Sequence, residues 1–312
     1  NPSSDYDPDG SIADMGAYYF THTSGCTDPY ADNYDSDATL DDGSCAGYPD
    51  NGEYSLSFDG DDDYVNVDNS EQLNFSSGQS YTIQLDFKSN FSGTLSSAQC
   101  LLAKAYGEPF TGWQIFITPE EGNPLLFNAA HDQENGGSYL YGPTSSEYND
   151  DDWHNVTVVY NHVLDQADFY FDGVLNSIFS NHGSMDLSNN GDFKFGTDRN
   201  NSGFFNGLID KVSIWDLSLT PSQIQSYITN PPSGTESDLR GYWKFDAGTG
   251  STLYDHSGNA NHGTINGASW ETFGPTDVSG VISSNTTWGA LSSPYIATGN
   301  ILVSEGVTLT IQ

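Results

Sequence analysis

At 312 residues the chain is long enough to bury a sizeable core, as one large sandwich or as two smaller domains. Seven Lys and Arg against 43 Asp and Glu give a formal charge of −36, which repels phosphate backbones and anionic headgroups and excludes nucleic acid as a partner. Aromatic residues make up 13%, more than disordered acidic chains carry, so the charge sits on a folded protein. No apolar run approaches membrane-spanning length, so no membrane insertion is expected, and no cleavable signal opens the chain, which reads as the interior of a longer precursor. Asp outnumbers Glu, and Gly and Asn are frequent. That mix favours turns and oxygen-ligand cages over helices and suggests an extracellular, calcium-rich setting.

In chain order, residues 1–24 contain "DYDPDGSIAD", with Asp5, Asp7 and Asp9 at every second position before Gly10. Three carboxylates so spaced gather round one hard cation, and the glycine permits the turn that follows, so calcium is one reading and a solvated acidic turn the other. Residues 25–47 hold "GCTDPYADNYDSDATLDDGSC". In an oxidising compartment Cys26 and Cys45 would close a ring worth about 3 kcal/mol by the loop-entropy model, and a segment this polar has no core of its own to replace such a staple. Asp35, Asp37, Thr39 and Asp41 alternate as early calcium ligands do, but Ala46 stands where a later glutamate belongs, so the loop reads first as a stapled spacer.

Residues 48–274 carry short alternating runs, "YSLSF", "YVNV", "YTIQLDF", "WQIFIT", "WHNVTVVY", "ADFYF" and "FKFG", parted by Gly, Asn and Asp clusters. Such spacing predicts an all-β sandwich or barrel. Val156, Val158 and Tyr160 alternate with Thr157 and Val159 as a central strand should, and "YFDGVL" supplies an Asp-Gly hairpin turn. One helix is predicted in "SLTPSQIQSYI", with Thr220 as cap, Pro221 at the first helical position, and Ile224 and Ile228 on one face. Cys100 in "AQCLLAK" reads as a buried strand residue and a free thiol. Residues 275–312 change character, and "ILVSEGVTLTIQ" alternates apolar residues about the Glu305-Gly306 turn to give two short strands.

The serial order "YSLSFDGDDDYVNV", "YTIQLDFKSN", "DDWHNVTVVYNHVLDQADFYFDGVLNS", "FNGLIDKVSIWDLSLTPSQIQSYI" and "GYWKFDAGTGSTLYDHSGNANHGTINGASW" resembles the laminin-G-like and pentraxin-like branch of the concanavalin A-type jelly rolls. The resemblance covers roughly residues 48 to 274 and implies a calcium that is structural or ligand-bridging. Donors of the right type are Asp59, Asp61, Asp62 and Asp63 in "FDGDDDYV", Asp210 in "GLIDKV", and Asp255, Ser257, Asn259 and Asn261 in "DHSGNANHG"; each singly is also an ordinary turn former. After "FKFG" the chain reads "TDRNNSG" in place of the acidic run of true pentraxins, which puts a double-calcium site in doubt. The two ends resemble pieces of the right-handed parallel β-helix domains of secreted bacterial proteins, 1–24 as an end and 275–312 as a beginning, and the cysteine loop resembles a linker repeat of such proteins.

Catalytic patterns are not found. No E-x-D-x-E run, H-E-x-x-H pair or G-x-S-x-G elbow occurs. Candidate ligand contacts are Trp113, His131, Asn135, Tyr139 and Tyr141, a polar-aromatic set suited to stacking on sugar rings, although Trp113 reads more readily as a core residue. The expected fold class is all-β, a concanavalin A-like jelly-roll sandwich with short flanking β-helix-like segments. The expected role is a non-catalytic adhesion or recognition module of a secreted or cell-surface protein, with glycans or other extracellular ligands as partners and calcium as cofactor. Self-association, or contact with neighbouring modules, is a further expected partnership. A spacer or filament-forming module and a polysaccharide hydrolase are the alternatives.

Overall fold

Alternating runs between turn-forming clusters become strands wherever one face can be buried, and the computed structural model realises this over nearly the whole chain. It describes residues 22–107, 110–130, 138–180, 186–272, 276–288 and 295–311. In chain order the strands are β1 (Ser24–Gly25), β2 (Leu40–Asp41), β3 (Tyr54–Asp59), β4 (Tyr64–Val67), β5 (Tyr81–Ser89), β6 (Gln99–Tyr106), β7 (Thr111–Ile117), β8 (Leu125–Ala130), β9 (Ser138–Tyr141), β10 (His154–Asn161) and β11 (Gln166–Phe171). There follow β12 (Val174–Ser180), β13 (Phe193–Phe195), β14 (Asn206–Trp215), β15 (Leu239–Trp243), β16 (Thr252–Leu253), β17 (Gly263–Asn266), β18 (Ser269–Thr272), β19 (Thr276–Ile282), β20 (Thr286–Trp288), β21 (Tyr295–Val303) and β22 (Leu309–Ile311). Two helices, α1 (Ser145–Tyr148) and α2 (Pro221–Thr229), interrupt them.

Two antiparallel sheets form the sandwich. The first runs β12-β11-β10-β5-β14-β3-β18, with β15 added to β14, and the second runs β16-β17-β4-β13-β6-β7-β8-β9. Between them Ile83, Leu85 and Phe87 of β5, Val156, Val158 and Tyr160 of β10, and Ile209 and Ile214 of β14 meet Trp113, Ile115, Phe127, Phe193 and Phe195 of the second sheet. The predicted inward face of β10 is therefore the one observed. The β11–β12 hairpin turns on Asp172 and Gly173, both at positive φ, as an Asp-Gly turn requires.

The first sheet is covered on its outer face as well. Helix α2 starts at the predicted Thr220 cap, which the structure extends to a capping box, Gln223 N–H donating to Thr220 Oγ1 at 3.4 Å while Thr220 N–H donates to Gln223 Oε1 at 2.9 Å. Ile224 is fully buried against Val159, Tyr170, Trp215, Leu219, Leu239 and Tyr242. Polar residues of β5 are thereby trapped between layers: Gln84 and Asp86 are 4% and 3% exposed. The outer face of the second sheet has no such helix over it among the described residues.

The stapled cysteine loop is docked on the sandwich. Cys26 and Cys45 are disulfide-bonded and Cys100 is a buried free thiol. Inside the loop the carboxylates of Asp35, Asp41 and Asp42 accept the N–H groups of Asp37, Gly43 and Ser44 at 2.9 to 3.0 Å, so each closes a local turn. Asp28, almost fully buried, accepts from Tyr30 N–H, Tyr48 Oη and His262 Nε2, the last two at 2.8 and 2.6 Å. His262 Nδ1 accepts Asp255 N–H at 2.9 Å, so the ring proton on Nε2 faces Asp28. Tyr30, Tyr48 and Tyr254 pack edge-on round His262, and this aromatic box seats the loop on the sandwich. Burial works against the Asp28 charge, but these hydrogen bonds outweigh it and hold the carboxyl below its ordinary value.

The last strands pair in parallel, β19 with β21 and β20 with β22. Thr276 lies beside Tyr295, Val281 beside Leu302 and Thr286 beside Leu309, so one strand–corner–strand coil of roughly 20 residues stacks on the next. Asn285 Oδ1 accepts Thr308 N–H at 2.9 Å and ties one corner to the other.

Candidate functional site

Two places combine accessible chemistry with a built environment. The first is the turn between β3 and β4, which links the two sheets. Asp59, Asp62 and Asp63 bring one carboxylate oxygen each within 4.8 Å of one another, and no other group of three or more Asp, Glu, His or Cys among the described residues does so. Asp59 Oδ1 accepts Asp61 N–H at 2.8 Å, and Asp63 Oδ2 accepts Asp59 N–H at 3.0 Å, which curls the turn about its own carboxylates. Gly267 makes room for it: a Cβ there would stand 2.0 Å from Asp63 Oδ1. The Asp63 carboxyl is pushed above its ordinary value, first by burial and then by the charges of Asp59 and Asp62. Oxygens bound to one calcium at about 2.3–2.6 Å stand no more than about 5 Å apart, so the three carboxylates fit that ion and leave further positions for carbonyls or water.

The remaining predicted metal ligands are not brought to this turn. Asp210 lies four residues along β14 from Asn206, the partner of Asp59, about 13 Å away. It is paired with Asp86 across the sheet, 1% exposed, with no hydrogen bond to either carboxylate oxygen and Lys211 Nζ at 3.4 Å. Both carboxyls are raised by burial, Asp86 to about 6 and Asp210 well above its ordinary value. Sealed between sheet and covering layer, they offer no face to a substrate. Asp255 spends both oxygens on the N–H groups of Tyr242, Ser257 and Asn261, each at 2.9 Å, and Asn259 Nδ2 donates to Leu239 O and Arg240 O. That turn is a fastener for β15. Asp5, Asp7, Asp9, His131 and Asn135 lie outside the described residues.

The second place is the outer face of β7, β8 and β9. Tyr139 and Tyr141, two residues apart on β9, project outward, 43% and 49% exposed, while Leu140 between them enters the core. Trp113 is a correction to the expected set. Its partner on β8 is Ala129, one pleat out of phase with the Asn128–Tyr139 pair, so its ring turns inward against Phe193 and is 1% exposed. In phase with Tyr139 a row crosses the sheet: Asn128, Gln114, Ala103, then Lys194. Asn128 is 5% exposed, and its Oδ1 is sealed from solvent without a hydrogen-bond partner. Sealed in this way it faces no ligand, and the accessible groups of this face are Tyr139, Tyr141 and the half-buried Gln114. Lys194 Nζ lies 5.8 Å from the Tyr64 ring centroid and donates to Asn201. The sequence signal for Asn128 is the single polar residue inside "LLFNAA", but only the register shows which way it faces.

No helix among the described residues is long and apolar enough to cross a membrane. No curated protein matches the chain. Among solved structures, a putative carbohydrate-binding protein from Bacteroides ovatus superposes with a TM-score of 0.54 at 18% identity, over 70% of this chain and 60% of its own length. A heptameric SAP-like pentraxin from Limulus polyphemus gives 0.43 at 15% identity over 56% of this chain and 81% of that one, and the sialidase CBM40 of Ruminococcus gnavus gives 0.44 at 13% over 56% and 96%. These are likenesses of fold. A family model matches residues 59–225, more than half of the chain, and with the two antiparallel sheets this places the protein in the Laminin_G_3 family of the concanavalin A-like lectin/glucanases superfamily.

Proposed function

We propose that the protein is a non-catalytic, extracellular glycan-binding module whose ligand lies on the outer face of β7–β9. The observation that carries this reading is the pair of outward tyrosine rings, Tyr139 and Tyr141, 43% and 49% exposed, with the half-buried amide of Gln114 in the same row across the sheet as Tyr139. Amides recognise sugar hydroxyls by hydrogen bonds, and exposed tyrosine rings stack on the apolar faces of pyranoses. Calcium held by Asp59, Asp62 and Asp63 would neutralise a crowded turn and fix the two sheets relative to each other, without taking part in binding. A disulfide joining the loop to itself is in keeping with an oxidising, extracellular compartment. The buried state of Asp86 and Asp210 supports the non-catalytic assignment, since the adjacent acidic pair cannot reach a glycosidic oxygen. Residues 276–311 read as two coils of a parallel β-solenoid, which supports a modular surface protein as the setting.

A glycan array followed by calorimetry tests the binding site. Tyr139→Ala and Tyr141→Ala are expected to weaken a glycan hit at least tenfold, whereas Val163→Ala, on the β10–β11 turn, leaves it unchanged. An array with no hit, or equal affinity in all three variants, refutes the reading.

A further inference from the structure

The tyrosine face is uncharged as well as aromatic. Two rows cross the outer side of the second sheet from β9 to β6: Tyr139, Asn128, Gln114 and Ala103 in one, Tyr141, Leu126, Phe116 and Cys100 in the other. Neither row holds an Asp, Glu, Lys or Arg. A carboxylate, sulfate or phosphate on a sugar is recognised by a lysine or arginine free to meet it. The chain has seven such residues, and all seven lie among the described ones. Four, on or next to strands of the first sheet, are committed to carboxylates: Lys88 to Asp151 at 2.8 Å, Lys211 to Asp210 at 3.4 Å, Lys244 to Asp50 at 3.2 Å, and Arg240 to Asp216. Lys104 is fully buried, its ammonium donating to Asn69 Oδ1 at 2.9 Å and Gly191 O at 2.6 Å. Lys194 donates to Asn201 and stands on β13, four strand spacings or about 19 Å from β9. Arg199 is half-buried, with its guanidinium 5.1 Å over the Phe110 ring. Against these seven stand 43 acidic residues, so the field around the chain repels an approaching anion.

We infer that the ligand of this face is an uncharged glycan and that carboxylated, sulfated and phosphorylated sugars are rejected, an inference that rests on the reading of β7–β9 as the binding face. The two tyrosine rings stack on CH-lined pyranose faces, and the Gln114 amide offers a donor and an acceptor to hydroxyls. Neither contact calls for charge. Affinity for a neutral sugar is then insensitive to salt, while the repulsion of an anionic one is long-ranged and screened by it.

An array that sets neutral gluco-, galacto-, manno- and xylo-oligosaccharides beside oligouronates and sulfated, phosphorylated and sialylated sugars tests this, with calorimetry of the hits at about pH 8, where histidine at its ordinary value is uncharged. Hits are expected among the neutral sugars alone, with Kd changing less than about twofold between about 50 and about 500 mM NaCl. Tyr139→Ala and Tyr141→Ala should each weaken those hits at least about tenfold. An acidic sugar that binds as tightly as the neutral ones and loses its binding in Tyr139→Ala overturns the inference and leaves the binding face standing, whether or not calcium is required. A Kd that rises with salt beyond the twofold range does the same. A hit that both tyrosine variants bind as the wild type does, or an array without a hit of either kind, refutes the binding face itself and the inference with it.

Discussion

Replacing Asp86 by Asn should stabilise the protein, and only above a definite pH. Asp86 sits on β5 between Asn155 of β10 and Asp210 of β14, 3% exposed, and burial raises its carboxyl from 3.8 to about 6. An acid whose folded value is raised binds more protons folded than unfolded between those two values, so stability falls as pH rises from about 4 to about 6 and is level above. The interval corresponds to about 3 kcal/mol carried by the ionised form at neutral pH. Asn keeps an acceptor for Asn155 Nδ2, which donates to Asp86 Oδ1 at 2.6 Å, and removes a charge facing Asp210. Asp86→Asn should therefore match the wild type near pH 4 and exceed it by up to about 3 kcal/mol at pH 8. Urea unfolding followed by tryptophan fluorescence at unit pH steps from 4 to 8 measures the difference, and using the difference cancels the titrating groups that do not interact with Asp86. A gap that does not change with pH, or a variant weaker than wild type at pH 8, refutes the account of Asp86 as a sealed, strained acid.

Calcium should raise the melting temperature and chelation lower it, and the response should vanish in Asp62→Asn combined with Asp63→Asn; an equal response in that variant removes the proposed site. His154 donates to Asp172 at 2.9 Å and Asp150 at 3.0 Å; burial opposes its charge, but these partners outweigh it and raise its value above 6.5. Its contribution is fully present below pH 6.5 and is lost as pH rises through the raised value, so the stability deficit of His154→Gln should be larger at pH 5.5 than at pH 9, and a deficit equal at both would contradict the ion-pair reading. Gly112→Ala should cost several kcal/mol, because its φ is +126° and a Cβ would stand 2.1 Å from the backbone oxygen of Lys104; a loss below about 1 kcal/mol in thermal unfolding would show that the β6–β7 pair yields easily.

Where a residue's role is local, the sequence discloses it. Thr220, Pro221 and Gln223 write a helix start in one span, and Asp172-Gly173 writes a hairpin, because the chemistry that fixes each lies within four residues. Cys26 and Cys45 could be paired because the segment between them is too polar to have a core of its own. Facing is harder. Trp113 and Tyr139 look alike as aromatic residues in polar strands, yet the register sends one into the core and the other to solvent. Gln84 and Asp86 alternate with apolar neighbours as solvent-facing residues do, and become buried because their sheet is covered on that face by the apolar layer under α2, far away in sequence. Gly267 shapes the acidic turn from some 200 residues downstream, a dependence no spacing rule contains.

The seated cysteine loop also has a mechanical meaning. Tension applied to the chain ahead of Cys26 passes through sulfur to Cys45, 19 residues later in sequence, and then to Tyr48 and the body of the sandwich. The strand of chain between the two cysteines bears none of it. Fully extended, those residues would span about 60 Å, a reserve of length that stays locked while the crosslink is intact. The aromatic box around His262 and the carboxylate of Asp28 hold the attachment point at one place on the domain, so load arrives from a fixed direction. Reduction changes both properties in a single step: the anchor loosens and the reserve pays out, turning a stiff coupling into a slack one under thiol control.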